Sequence, residues 1–167
     1  IRLAYLETER AVIGMASPML QEIFAGSLIG LPGVKFNALT ADQRVLIAGI
    51  AAGFTGLLSL FNIGGRFFWA SLSDRMGRKM TYKAFFVIGA ALYDLIIPWA
   101  SNAASLAVFV GCSCVIVSMY GGGFATVPAY LADLFGGRYV GTIHGVLLTA
   151  WSTAGVLGPQ VVNYMRQ

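Results

Sequence analysis

The sequence predicts an all-α membrane protein, a bundle of about five transmembrane segments. Three observations lead there. The 167 residues are 57% hydrophobic and only 11% charged, whereas an ordinary soluble domain is about a quarter charged. That leaves too little polar surface to cover a water-soluble body. The apolar residues fall in continuous runs rich in Ala, Leu and Gly, not in the alternating segments of about ten residues that a strand barrel shows. Lys and Arg gather at the ends of those runs and form no basic face, so the net charge of +4 does not point to nucleic acid.

The elements follow in chain order. Residues 1–10, "IRLAYLETER", are polar and do not extend the apolar run behind them. The chain opens on Ile without a secretory signal pattern, so it is expected to be a piece of something longer. From residue 11 to 167 a transmembrane helical bundle is expected, because a crossing helix needs about 20 apolar residues. Its spans are placed at about 11–30, 44–69, 82–100, 104–131 and 140–164. The first contains Pro18 and Glu22 and is the weakest. The second holds 21 uncharged residues between Arg44 and Arg66. The third has 17 residues after Lys83, broken only by Asp94. The fourth has 30 uncharged residues between Asn102 and Asp133, with Pro128 near its end. The fifth has 27 between Arg138 and Arg166.

Lys and Arg placement orients the bundle. With 11–30 running outward, one side holds Arg2, Arg10, Arg66, Arg75, Arg78, Lys79, Lys83 and Arg138. The other holds Lys35, Arg44 and Arg166. This asymmetry puts loop 70–82 in the cytoplasm and 31–43 outside, with Pro32-Gly33 as a turn. Thr40 in "LTADQR" is placed as a helix N-cap, with Gln43 completing a capping box. Gly49/Gly53 and Gly141/Gly145 have the GxxxG spacing that lets helices approach closely in lipid. The glycines of "YGGGFATVPAY" and of Gly158-Pro159 read as close contacts or bends, since no Walker pattern follows them. Cys112 and Cys114, two apart, point to nearly opposite sides of a helix and read as small apolar residues.

The chain's dense charge cluster lies between two apolar runs, in "GRFFWASLSDRMGRK". Gly77 offers a position free to take positive φ. Asp74 is placed at a helix N-terminus, either its own loop's or a neighbour's. Arg75, Arg78 and Lys79 can reach carboxylates at neighbouring helix ends, and Asp133 with Arg75 or Arg78 is the favoured tether. Made in one conformation and broken in another, such a tether biases a rocking motion. The plainer reading is a set of ordinary positive-inside residues.

The order of residues in "ASLSDRMGRK" resembles the G-x-L-a-D-r-x-G-r-k signature of the major facilitator superfamily. Leu72, Asp74, Arg75, Gly77, Arg78 and Lys79 match, and Ala70 stands for the leading glycine. With "FNIGGRFFWASLSDRMGRK", "YGGGFATVPAYLADLFG" and "HGVLLTAW", residues 11–165 look like the oxalate/formate antiporter family. The resemblance implies the seventh to eleventh helices of a twelve-helix transporter. The N-terminal half and twelfth helix would then be missing partners of the same protein, and a bacterial inner (plasma) membrane its location. It also implies that Arg66 faces a central cavity and binds a substrate carboxylate, a task that suits the planar guanidinium. Snorkelling to headgroups is the alternative. Where the oxalate-specific branch carries a lysine, this chain has Trp151. A dianion would leave its second charge poorly matched there, so a small monocarboxylate is expected. Tyr120, Tyr130 and Trp151 are the aromatics expected near the cavity.

His144, the only histidine, is either a proton shuttle or a residue of the helix start. Asp94 is assigned a structural or interfacial place. There is no HExxH, no GxSxG and no Cys/His set with metal-ligand spacing, so no enzyme, metal or cofactor is expected. Two functions stay in view: a secondary transporter of small organic anions, and an accessory half-bundle that transports nothing alone. A major facilitator transporter for an unrelated solute is a further alternative.

Overall fold

In the computed structural model the described residues are 17, 20–21, 24–26, 28–30, 34, 36–96 and 106–165. The polar segment 1–10, most of the first expected span and the 97–105 connection lie outside them. Four α-helices carry the described fold: α1 (Ala41–Met76), α2 (Arg78–Ala90), α3 (Leu106–Phe135) and α4 (Val140–Met165). A short 3-10 turn, Phe36–Ala38, precedes α1. A π-helical turn, Ala91–Ile96, continues α2, and a second 3-10 turn, Gly137–Tyr139, leads into α4. No strand occurs among the described residues. Among the described residues, three helical stretches are long and apolar enough to cross a membrane: Ala41–Met76, Leu106–Phe135 and Gly137–Gly158.

Thr40 caps α1: its N–H donates to Gln43 Oε1 at 3.0 Å, and its carbonyl accepts from the Arg44 N–H. Arg44 reaches back to the Asn37 carbonyl at 2.8 Å and lies over the Phe36 ring, fixing the entry to the helix. From there α1 runs 36 residues, well past Arg66. At about 1.5 Å per residue it is about 54 Å long, so it projects beyond a hydrocarbon core of about 30 Å.

The expected loop at 70–82 is not a loop. Helix α1 continues to Met76 and α2 begins at Arg78, leaving Gly77 alone between them with φ 86°. Only a residue without Cβ adopts that conformation cheaply. The chain reverses there, as side-chain contacts prove. Trp69 and Phe85, each eight residues from Gly77, meet ring to ring at 4.9 Å, edge to face. The end of α3 uses the same device. Gly136, at φ 77°, stops the helix, and Tyr120 on α3 is hydrogen-bonded to Trp151 on α4. The fold is therefore two helical hairpins. Asp74 stands in the last turn of α1, and its carboxylate lies 2.7 Å from Arg78, the first residue of α2.

The hairpins join through α1 and α3. Gly65 lies against the Ser118 backbone, Gly121 against the Asn62 backbone, and Gly122 against the Trp69 side chain. A Cβ at any of the three would overlap its neighbour. Trp69 Nε1 donates to Ser118 Oγ at 3.2 Å across the same seam. The two GxxxG pairs are elsewhere. A Cβ at Gly49, Gly53, Gly141 or Gly145 would meet nothing within 4 Å, and the same holds at Gly158. The spacing was right for close packing but lies on faces without neighbours among the described residues. Which glycine packs depends on the rotation of the helix, and Trp69, Ala51 and Leu58 set that rotation by being buried. Outside this seam, Leu20 and Phe24 of the first segment join Phe54, Leu58 and Phe109 in a second apolar cluster.

Candidate functional site

Helix α1 carries a polar edge. Thr55, Ser59, Asn62 and Arg66 recur at the four- and three-residue steps that align side chains along one helix flank. The hydroxyls of Thr55 and Ser59 donate back to the carbonyls one turn earlier, at 3.0 Å each. Arg66 ends the edge. It is exposed and has no hydrogen-bond or ion-pair partner among the described residues. Its height is fixed by the seam. Asn62 and Trp69 abut Gly121 and Gly122, so Arg66, between them on α1, is level with Tyr120 on α3.

Tyr120 and Trp151 meet directly. The indole Nε1 donates to the Tyr120 hydroxyl at 2.9 Å. Phe124 packs against both, 5.6 Å from Tyr120 and 5.3 Å from Trp151, ring centre to ring centre. These three line a cavity of about 200 Å³ between α2, α3 and α4, which Tyr130 and His144 also border. The wall is almost wholly apolar and aromatic, and Arg66 is not part of it. The expected trio of Arg66, Tyr120 and Trp151 is thus divided. Two members share a hydrogen bond and a wall, and the third stands level with them on another helix. His144 is within α4, with Nδ1 buried and without a hydrogen-bond partner among the described residues. Across the cavity Tyr82 donates to the Gly123 carbonyl at 3.2 Å, and Thr126 Oγ1 lies 3.1 Å from Tyr82 Oη.

The charge cluster centres on one residue. Arg78 reaches Asp74 Oδ1 at 2.7 Å, Asp133 Oδ2 at 3.5 Å and the buried Ser73 hydroxyl at 2.8 Å. Of the two arginines considered for Asp133, it is Arg78 that makes the contact. Arg75 and Lys79 are exposed and form no ion pair among the described residues. The placement opposes the helix dipoles. Arg78 is the first residue of α2, where the dipole favours an anion, while Asp74 and Asp133 sit in the last turns of α1 and α3, where it favours a cation. Each charge is poorly placed on its own helix and well placed only beside the others. Ser73 is a member that motif reading missed. Its signal was available, since it stands on the buried flank of α1 one turn beyond Trp69.

Residues 11–159 match the Major Facilitator Superfamily. The chain belongs to this superfamily. Within this family of membrane transporters it is similar to the oxalate:formate antiporter of Oxalobacter formigenes, 31% identical over 113 residues. The matched stretch is 68% of this chain and 27% of that protein, so the chain spans about a quarter of the length of its curated relative. No solved structure matches it. For a major facilitator protein the two hairpins and apolar helices are an all-α, membrane-embedded fragment of the fold. Among the described residues no group of three or more His, Cys, Asp or Glu could hold a metal ion.

Proposed function

We propose that the chain is part of a secondary transporter that moves small monocarboxylates by alternating access, through exchange or proton coupling. One observation carries the reading: an unpaired arginine ends a polar edge on an otherwise apolar helix, level with Tyr120. An arginine at membrane depth is costly, so a place facing water and a negative ligand is its usual justification. On helical phase, Arg66 and Phe124 project to the same side of the α1–α3 pair. Arg66 binds the substrate carboxylate through paired hydrogen bonds. The Trp151 N–H is taken up by the Tyr120 hydroxyl, so the indole offers a substrate its ring face. One cation beside an aromatic wall suits one carboxylate and an apolar remainder, and leaves a dianion's second charge without a partner. The similarity to an oxalate:formate antiporter supports an organic anion. The remaining helices of the same transporter, its N-terminal half and twelfth helix, complete the pathway, in a bacterial inner membrane with the Gly77 turn on the cytoplasmic side. The Asp74–Arg78–Asp133 cluster, with Arg75, Gly77 and Lys79 around it, sets the balance between conformations.

The test is counterflow in proteoliposomes of the full-length protein over formate, oxalate, lactate, pyruvate and longer acids. Uptake of monocarboxylates, abolished by Arg66→Ala, is expected. Transport of none of these acids would sink the carboxylate reading and leave a transporter of another solute or an accessory bundle. Unchanged substrate affinity in Arg66→Ala would remove that residue from the site.

A further inference from the structure

Helix α2 is fully committed on one face. Thr81, Phe85 and Gly89 are buried, Arg78 is held by Ser73, Asp74 and Asp133, and Tyr82 is bonded to Gly123. These contacts fix the rotation of the helix about its axis. The opposite face is therefore fixed too, and it has an ordered composition. Lys79 and Lys83 stand one turn apart at its start, both exposed. Met80 and Val87 stand on the same side, 51% and 69% exposed, whereas Phe86 borders the cavity between α2, α3 and α4. Helical rise puts Lys83 about 6 Å above Lys79 and Val87 about 6 Å above Lys83. Two ammonium groups thus stand at the foot of an apolar stripe, with stems long enough to follow it.

Among the described residues no carboxylate is paired with Lys79 or Lys83. Helix α2 contains no carboxylate, and the carboxylates near its start, Asp74 and Asp133, are both engaged by Arg78. A second apolar helix laid over this face would bury two ammonium groups without partners, which is strongly unfavourable. A lipid meets both demands at once, with an anionic head against the lysines and acyl chains along Met80 and Val87. A zwitterionic head brings its own cation and leaves the lysines half matched.

We infer that the outer face of α2 is a binding site for one anionic phospholipid, with Lys79 and Lys83 holding the headgroup phosphate. Met80 and Val87 seat the chains, in the leaflet where α1 ends and α2 begins. Because Arg78 is the residue next to Lys79, an occupied site steadies the start of α2 beside the charge cluster.

Native mass spectrometry of the full-length protein tests this, after reconstitution in phosphatidylcholine with phosphatidylglycerol added. Wild type should retain phosphatidylglycerol in preference to phosphatidylcholine. Lys79→Ala/Lys83→Ala should weaken that retention by about thirtyfold, from the usual contribution of a lysine near an anionic surface. Lys79→Arg/Lys83→Arg should restore most of it, which separates loss of charge from loss of fold. Equal retention of the two lipids by wild type would overturn the proposal, as would unchanged retention in the alanine variant. Full displacement by soluble glycerol phosphate would replace a lipid site with an ion site. None of these readouts involves transport, so they stand apart from the substrate reading.

Discussion

Helix α3 has two working faces, and they are built in opposite ways. Toward α1 it presents Ser118, Gly121 and Gly122, which meet Gly65, Asn62 and Trp69 with no room for a single added carbon. Toward α4 it presents Tyr120, Phe124 and Leu131, which stand around a cavity of about 200 Å³ and touch α4 mainly through rings. Without a hydrophobic driving force between helices in lipid, close backbone approach is what holds a pair together. The α1–α3 seam has that, and the α3–α4 boundary does not. The first is packed backbone to backbone, and the second leaves a cavity between its helices.

The largest effect should come from breaking the tight face. Gly121→Val forces a branched side chain onto the Asn62 backbone and should destabilise the protein by roughly 3 kcal/mol or more, at the upper end of overpacking costs. Thermal unfolding of the purified full-length protein, or failure to recover it, is the measure. A near-normal midpoint would mean the seam is not what holds α1 to α3. Next is Arg78→Ala, which leaves Ser73 without its donor and Asp133 without its cation. A loss of about 1–2 kcal/mol is expected. In counterflow, turnover should fall more than affinity; a change confined to affinity would contradict a conformational role for the cluster. On the looser face, Trp151→Phe keeps the ring and deletes the donor to Tyr120. A cost of about 1 kcal/mol in stability is expected, with a larger change in substrate preference, read as the ratio of uptake rates for two acids. The smallest effect belongs to Gly145→Ala. Its Cβ meets nothing, so the shift should stay within about 0.5 kcal/mol of zero. A large loss there would reveal a close neighbour on that face.

These expectations also mark what the residue order could reveal. Continuous apolar runs made the helices legible, and the "SDRMGRK" order made the family legible. Thr40 and Gln43 announced the start of α1 because a capping box is local chemistry. Packing was less legible. Four glycines at GxxxG spacing meet nothing among the described residues while Gly65, with no such partner, carries the seam, since contact depends on where another helix lies. The expected loop at 70–82 vanished for a related reason. Charged residues such as Asp74 and Arg75 do not stop a helix; Gly77 does. Arg66 was conspicuous as a cation at the end of an apolar run. Its companions Thr55, Ser59 and Asn62 were not singled out, being individually ordinary and meaningful only once a continuous helix aligns them.

The two glycine turns have a practical consequence. On the side where both hairpins reverse, the described chain offers one residue at Gly77, and Gly136 with a three-residue turn at the other. An epitope tag, a reporter domain or a protease has no loop to enter on that side without cutting into a helix. Topology there is best read residue by residue, with single cysteines placed at exposed positions such as Arg75 or Arg138 and tested with a reagent that cannot cross the membrane.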